Sequence, residues 1–501
     1  MHFHTKHTQP AFTLTSANML PNIALLSLLP ITLSVLNAAQ MRSNAVYQVV
    51  TDRFALPNSS TSTDCDVSAR QYCGGTWSGI QSKLDYIQGM GFDTIWISPI
   101  VQNIGGTTGD GQAYHGYWSL DVSQLNSNFG TPGDLQSLIS AIHSRAMSIM
   151  VDVVINHVAA TSSSTFASSS SYGPFSVQAD FHPFCWIDDY SNQTQVEQCW
   201  LGDSSTALPD LNTESDTVKS YWNSWIYNLT SNYSIDAIRI DTVKHIRHDF
   251  WPPFISAAGV FNQGEVLDND AAYVGSYQTN ASVNPFNYPV YYGLVQAFNA
   301  STGRMSDLIS LISQVKGNFS DPTLAGMFLN NHDNPRFENY TSDMALVKNA
   351  HAYAFVGDGI PYLYYGSEAG FHGGNDPGNR EPLWTSGYNT SSDMYKYFTS
   401  LNAVRQAAAG NASTGFFATQ VCHQTSVRLL LLMQNLDERL RTQLERTAHC
   451  EIASRIAAVQ SRSVFLHVLQ SHHPIVIHRL GSEHRHHRRH VMLPVHDGFV
   501  G

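Results

Sequence analysis

"IDAIRIDTVKH", Ile235 to His245, reads as two things at once. Its isoleucines and alanine give the continuous apolar run of a buried strand, the kind found in parallel sheets. Arg239 and Asp241 interrupt that run, two residues apart and therefore on one face of the strand. Charges enclosed in an apolar strand cost several kcal/mol unless something compensates them. A strand whose end opens on a cleft removes the conflict, because the charged face then meets a ligand.

Six further runs have the same form, apolar and then abruptly polar. They are "AVYQVVTDRF" from Ala45, "DTIWISPI" from Asp93, "SIMVDVVINH" from Ser148, "GVFNQGEVLD" from Gly259, "LAGMFLNNHDNP" from Leu324 and "IPYLYYGSE" from Ile360. Segments of helical character lie between them, among them "GIQSKLDYIQGMG" (Gly79 to Gly91) and "TPGDLQSLISAIHSRAM" (Thr131 to Met147). Strand and helix alternating this often predict an α/β fold with a parallel sheet, and an eighth strand near "NYPVYYGL" (Asn287 to Leu294) would close it into a (β/α)8 TIM barrel. In that fold the chemistry sits at the C-terminal ends of the strands.

The spacing also predicts domains. Residues 41–156 and 217–420 form the barrel, and 157–216, too long for a structureless loop, form a small domain inserted after the third strand. Residues 1–40 read as a leader with a signal peptide: an apolar stretch runs from Ile23 to Leu36, followed by Ala38 and Ala39, and it is too short and too broken by Pro30 for a stable membrane span. From about Val421 tyrosine, tryptophan and lysine vanish and the chain ends in an Arg/His-rich run, so 421–501 read as an unrelated appendage or a change of reading frame.

A formal net charge of -12 argues against nucleic acid as a partner. Ten sequons (Asn58, Asn192, Asn228, Asn232, Asn280, Asn299, Asn318, Asn339, Asn389 and Asn411) fit a secreted glycoprotein. Cys65 with Cys73 and Cys185 with Cys199 are spaced as two local disulfides. The chain is expected to be monomeric.

Three carboxylates follow apolar runs: Asp241, Glu265 and Asp333. Retaining cleavage of a glycosidic bond needs a carboxylate nucleophile and a protonated acid close together. Arg239 is expected to hold Asp241 ionised, while Glu265, less solvated and among acidic neighbours, keeps its proton longer. Asp333 would bind sugar hydroxyls and raise the pKa of Glu265.

"DVVINH" (Asp152 to His157), "IRIDTVKH" (Ile238 to His245), "GEVLD" (Gly264 to Asp268) and "NNHDNPR" (Asn330 to Arg336) resemble the four motifs of the α-amylase family of glycoside hydrolases. "TDRFA", "YCGGTW", "AYHGYW", "QTQVEQCWLGD" and "GGNDPGNREPLW" narrow the resemblance to its secreted fungal members, over about Ala45 to Phe417. The resemblance implies an endo-acting hydrolase of internal α-1,4 links in starch or glycogen, with Asp241 as nucleophile, Glu265 as acid/base and Asp333 as transition-state stabiliser. It implies sugar contacts from His115, Tyr117, Trp118, His157, Arg239, Lys244, His245, His332, Asp376 and Arg380. It also implies a structural calcium on Asn156, Glu197, Asp210 and the main-chain oxygen of His245, and a second, weak calcium near Asp241 and Glu265. A related α-glucosidase or a transglycosylase of cell-wall glucan uses the same acids, and an inactive carbohydrate-binding or misfolded product of a damaged gene is the alternative of another class. The sequence departs from the family at Gly275 and Phe319, where relatives carry a bonded cysteine pair, at Arg70, where they carry a substrate-contacting glutamine, at Asn269, where they carry glycine, and after about Gln420, where their β-sandwich is not recognisable.

Overall fold

The computed structural model describes residues 36–409, apart from 61–63, 165, 167–171 and 301. The expected leader up to residue 35 and the altered stretch from about 421, with Cys422, Cys450 and sequon Asn411, lie outside the described residues.

All seven runs become strands of one parallel sheet: β1 (Val46–Gln48), β2 (Thr94–Ile97), β3 (Ser148–Val153), β4 (Ala237–Ile240), β5 (Phe261–Gly264), β6 (Gly326–Met327) and β7 (Ile360–Tyr364). Their spatial order, β6-β7-β1-β2-β3-β4-β5, follows the chain cyclically, as in a nearly closed barrel. The gap between β5 and β6 is bridged by residues 284–287. Gly264 pairs in parallel with Pro285, and Phe286 with Gly326. Four main-chain bonds seal the joint: Gly264 N to Asn284 O (2.8 Å), Phe286 N to Gly264 O (2.9 Å), Gly326 N to Pro285 O (3.0 Å) and Asn287 N to Gly326 O (2.8 Å). The eighth position is therefore the turn just before "NYPVYYGL". That run is itself helix Tyr288–Phe298, capped by the Asn287 side chain on Val290 N. Its tyrosines pack with Phe328 inside the barrel, and this packing overrides their β propensity.

The strands alternate as a two-residue period requires. Tyr47, Ile95, Val151, Ile238 and Ile240 face the outer helices in the large core. Val46, Trp96, Met150, Ala237, Phe261 and Tyr362 fill the barrel interior. Outer helices follow from local rules. Pro132–His143 starts at a capping box, in which Thr131 Oγ1 accepts from Asp134 N and Asp134 Oδ2 from Thr131 N. Its buried Leu135, Leu138, Ile139 and Ile142 lie on one stripe. The run 79–91 is two helices, Trp77–Ser82 and Leu84–Gly89, because Lys83 leaves helical geometry (φ -117°, ψ 14°).

Between β3 and helix Asp216–Tyr233 the chain forms a short helix (Gln193–Gln198) and a two-stranded hairpin (Leu201–Gly202 with Ala207–Leu208). Cys185 and Cys199 are disulfide-bonded there, as are Cys65 and Cys73 after β1. Bridges His157–Asp210 and Ala160–Ala207 anchor this segment beside the end of β3. Helix Ala38–Ser43, capped by Asn37, starts within the stretch expected as leader, and its Met41 is buried with the barrel interior. Among the described residues no helix is long and apolar enough to cross a membrane.

Candidate active site

The charges that interrupt β4 point into the barrel mouth. One guanidinium serves three carboxylates: Arg239 Nη1 lies 3.0 Å from Asp152 Oδ1 and 2.6 Å from Asp241 Oδ1, and Nη2 lies 3.1 Å from Glu265 Oε2. The Trp96 and Tyr117 rings flank it, 5.3 and 5.6 Å from the guanidinium carbon. Asp152 also accepts from Tyr117 OH (2.7 Å) and Trp96 Nε1 (3.1 Å). Glu265 accepts from Thr242 N (3.1 Å), the residue next to Asp241, and from Tyr288 OH (3.3 Å). Asp241 and Glu265 stand immediately after β4 and β5, so the parallel register brings them side by side.

Arg239 does lower the Asp241 pKa, as expected, but not enough to hold it below its ordinary value. Burial outweighs the guanidinium, and the Asp241 carboxyl lies above its ordinary value. The reason is that one positive charge is divided among three buried acids. Burial likewise pushes Asp152 and Glu265 up to about 7, with Asp241 and, for Glu265, Asp333 adding to the effect. Glu265 thus keeps its proton into the neutral range, as its sequence setting suggested.

The facing wall comes from the loop beyond β6. Asp333 is 20% exposed and faces the cleft; burial raises its pKa while Arg380 and Arg239 oppose that. Its neighbour His332 accepts from Gln48 Nε2 at Nδ1 (2.8 Å), which leaves Nε2 to donate toward Asp333 Oδ1 at 3.3 Å. Arg380 reaches Asp333 Oδ1 (3.8 Å) on one side and Asp376 Oδ1 (2.9 Å) on the other. Tyr117, His157, Asp241, Glu265, His332 and Asp333 line one open cleft.

The other expected sugar contacts divide. Tyr117 lines this cleft with its ring stacked on His332 (4.9 Å, 4°). His157 lines it too, donating from Nε2 to Tyr117 O (3.3 Å), and burial lowers its pKa to about 4, so it is neutral. His115 lies behind Tyr117, accepting from its main-chain N at Nδ1, and its buried Nε2 has no partner. Trp118 is not on the cleft wall; it packs with Ile104, Ala113, Leu201 and Leu208 in a separate apolar cluster. Lys244 and His245 follow on a short 3-10 turn. Lys244 Nζ donates to Leu267 O (2.9 Å) and sits over the Tyr190 ring, and His245 Nδ1 donates to Val196 O (3.0 Å).

Of the expected calcium ligands, Asn156 Oδ1 and Asp210 Oδ1 are buried and without a hydrogen-bond partner. Glu197, on helix Gln193–Gln198, accepts from Gln193 Nε2 (2.9 Å), and the same nitrogen donates to Lys244 O (3.1 Å). That contact puts the helix against the His245 turn. Two orphaned buried oxygens, a carboxylate and a carbonyl are oxygen donors that suit a hard cation. Among the described residues no three His, Cys, Asp or Glu side chains converge as a metal centre. Where the second calcium is expected, near Asp241 and Glu265, the Arg239 guanidinium lies against both carboxyls.

The departures have structural counterparts. Gly275 packs on Phe319: a Cβ there would lie 2.9 Å from the Phe319 ring, so the aromatic side chain fills this junction. Asn269 is exposed. Arg70 pairs with Asp376 (Nη1 to Oδ2, 3.1 Å).

Gln48, Asp152, Tyr114, Tyr288 and Asn379 also shape the site and carried no assigned role. Asp152 and Gln48 were legible by the same anomaly as Arg239, a polar residue on the inner face of an apolar strand. Asn379 bonds three main-chain oxygens of the Asp333 loop, those of Asn331 (3.4 Å), His332 (2.9 Å) and Asn334 (2.8 Å), and nothing local announced it.

The family model described as Alpha amylase, catalytic domain, matches residues 48–420. Alpha-amylase 1 of Lipomyces kononenkoae is 54% identical over 371 residues, which are 74% of this chain and 59% of that protein. Alpha-amylase 2 of Schwanniomyces occidentalis is 50% identical over 74% of this chain and 73% of its own. The solved alpha-amylase of Malbranchea cinnamomea superposes with a TM-score of 0.74 at 45% identity, covering 76% of this chain and 80% of that one.

Proposed function

The chain belongs to the α-amylase family, and on that premise we propose that it is a secreted, endo-acting α-amylase that hydrolyses internal α-1,4 links of starch or glycogen with retention. The observation that carries this reading is the Arg239 fork, which holds Asp241 and Glu265 together on one side of the cleft that Asp333 faces from the other. Protonated Glu265 gives its proton to the glycosidic oxygen, and the leaving chain departs as an alcohol. The Asp241 carboxylate takes the anomeric carbon and forms a covalent glycosyl ester. Water then attacks that carbon, Glu265 recovers a proton from it, and Asp241 is released. Asp333 stabilises the positive charge that develops on the ring in both steps, and neutral His157 and His332 hold hydroxyls without adding charge.

Calcium is part of this proposal as a structural ion held by Asn156, Glu197, Asp210 and the His245 carbonyl. When bound, it neutralises buried oxygens and joins the segment after β3 to the barrel mouth. Secretion is supported by the two disulfides and by exposure of the sequon asparagines other than Asn299 among those described.

Product analysis on soluble starch tests the reading. Malto-oligosaccharides of several lengths, released with α configuration, are expected. Chain-lengthened products would make the protein a transglycosylase, and glucose alone an α-glucosidase. Asp241→Asn should fold normally and lower kcat by about a thousandfold or more.

A further inference from the structure

Glu265 has to offer its proton to the cleft, and the groups around its carboxyl decide where that proton sits. Arg239 Nη2 lies 3.1 Å from Oε2, and Thr242 N donates to the same oxygen at 3.1 Å. Two donors hold Oε2, so the protonated acid carries its hydrogen on Oε1. The hydroxyl of Tyr288 lies 3.3 Å from Oε1. The direction of that one hydrogen bond therefore sets the direction of the acid proton.

A line of bonds from the facing wall fixes it. Asn331 Oδ1 accepts from Asp333 N (3.1 Å), Asn334 N (2.9 Å) and Asn334 Nδ2 (3.0 Å). These three donors orient the amide, and its Nδ2 donates to Tyr288 OH at 3.2 Å. With its oxygen accepting there, Tyr288 turns its own hydrogen to Glu265 Oε1. Burial raises the phenol pKa well above its ordinary value, and the charges of Glu265 and Asp333 add to the effect, so that hydrogen stays in place. A donor on this side of Oε1 excludes the Glu265 proton from it and leaves that proton to the cleft, which Glu265 lines. The support is rigid. Tyr288 is the first residue of helix Tyr288–Phe298, directly after the turn that closes the barrel. Its ring is buried and meets Phe328 edge-on, with centroids 5.0 Å apart.

We propose that Tyr288 is a positioning residue for the general acid: its hydroxyl, oriented by Asn331, aims the Glu265 proton at the glycosidic oxygen. Tyr288 acts through Glu265 and takes no part in bond cleavage itself. The inference rests on the amylase reading, in which Glu265 protonates the leaving chain. Once Oε1 has given up its proton, the same hydrogen bond holds the carboxylate in place for the water that follows.

Two substrates that differ in their need for an acid test it. A sugar leaving group must be protonated as it departs, whereas fluoride departs as an anion, so maltoheptaose is compared with α-maltotriosyl fluoride. The measured quantity is kcat/KM, which reports the steps up to the first bond cleavage, at about pH 5, where Glu265 keeps its proton. Tyr288→Phe keeps the ring and its packing and removes only the hydroxyl. Its kcat/KM for maltoheptaose should fall about tenfold further than that for the fluoride, the size of one hydrogen bond. Asn331→Asp, close in volume, keeps the hydroxyl but draws its hydrogen to the new carboxylate. It should show the same selective loss, and it carries the test if Tyr288→Phe does not fold. Equal falls on both substrates would overturn the proposal and leave Tyr288 as a brace of the barrel. Failure of the wild-type chain to cleave maltoheptaose would remove the amylase reading and this inference with it.

Discussion

Arg239 shows why single residues in this site cannot be read one at a time. An arginine two residues before an aspartate should hold that aspartate's pKa below its ordinary value, and in isolation it would. Here the same guanidinium also binds Asp152 and Glu265, and all four groups are buried, so the acids share too little positive charge to ionise together. Protons stay on the group with the least compensation. Glu265 titrates near 7 in the free protein, so in the proposed mechanism kcat/KM should fall as pH rises through about 7 and the acid loses its proton. Glu265→Gln should lose that alkaline limb along with most activity. A limb unchanged in the residual rate of the variant would place the titration elsewhere, with Asp152, also near 7, as the group to replace next.

At the scale of elements, the weakest joint in the barrel is the most constrained. β5 and β6 are linked only through residues 284–287, by four main-chain bonds at Gly264 and Gly326. A Cβ on Gly264 would come within 2.2 Å of Val283 Cγ1 and 2.9 Å of Val243 Cγ2, both in the core. Gly264→Ala should therefore destabilise the fold by about 1–3 kcal/mol through overpacking, read as a lower denaturant midpoint. It also sits next to Glu265, so a displaced carboxyl should appear as a kcat loss beyond what the stability change explains. The sequence missed this element because two bridged residues carry no periodicity. A run of tyrosines nearby drew the reading instead, although the capping asparagine and Pro289 already marked a helix start.

For the molecule as a whole, the segment after β3 decides whether the cleft is complete. It supplies Leu201 and Leu208 to the cleft wall and leaves Asn156 Oδ1 and Asp210 Oδ1 unpaired where it meets the barrel. If calcium fills that junction, chelation should lower Tm by several degrees, roughly what a loss of 1–3 kcal/mol implies for a domain this large, and added calcium should restore it. An unchanged melting curve would leave those oxygens to water. Much of this was legible beforehand. Apolar runs ending in polar residues gave all seven strands, and parity along them separated inner from outer faces, because a strand's period is two whatever surrounds it. The motifs singled out Asp241, Glu265 and Asp333, which the structure brings to one cleft. Tertiary structure alone decided how one arginine is divided among three acids, that Trp118 packs behind the wall and not on it, that a turn closes the barrel, and that Arg70 reaches Asp376. Each of these depends on distances between segments far apart in the chain. Local sequence fixes the direction of a side chain, but only the closed barrel fixes which charges must share a partner.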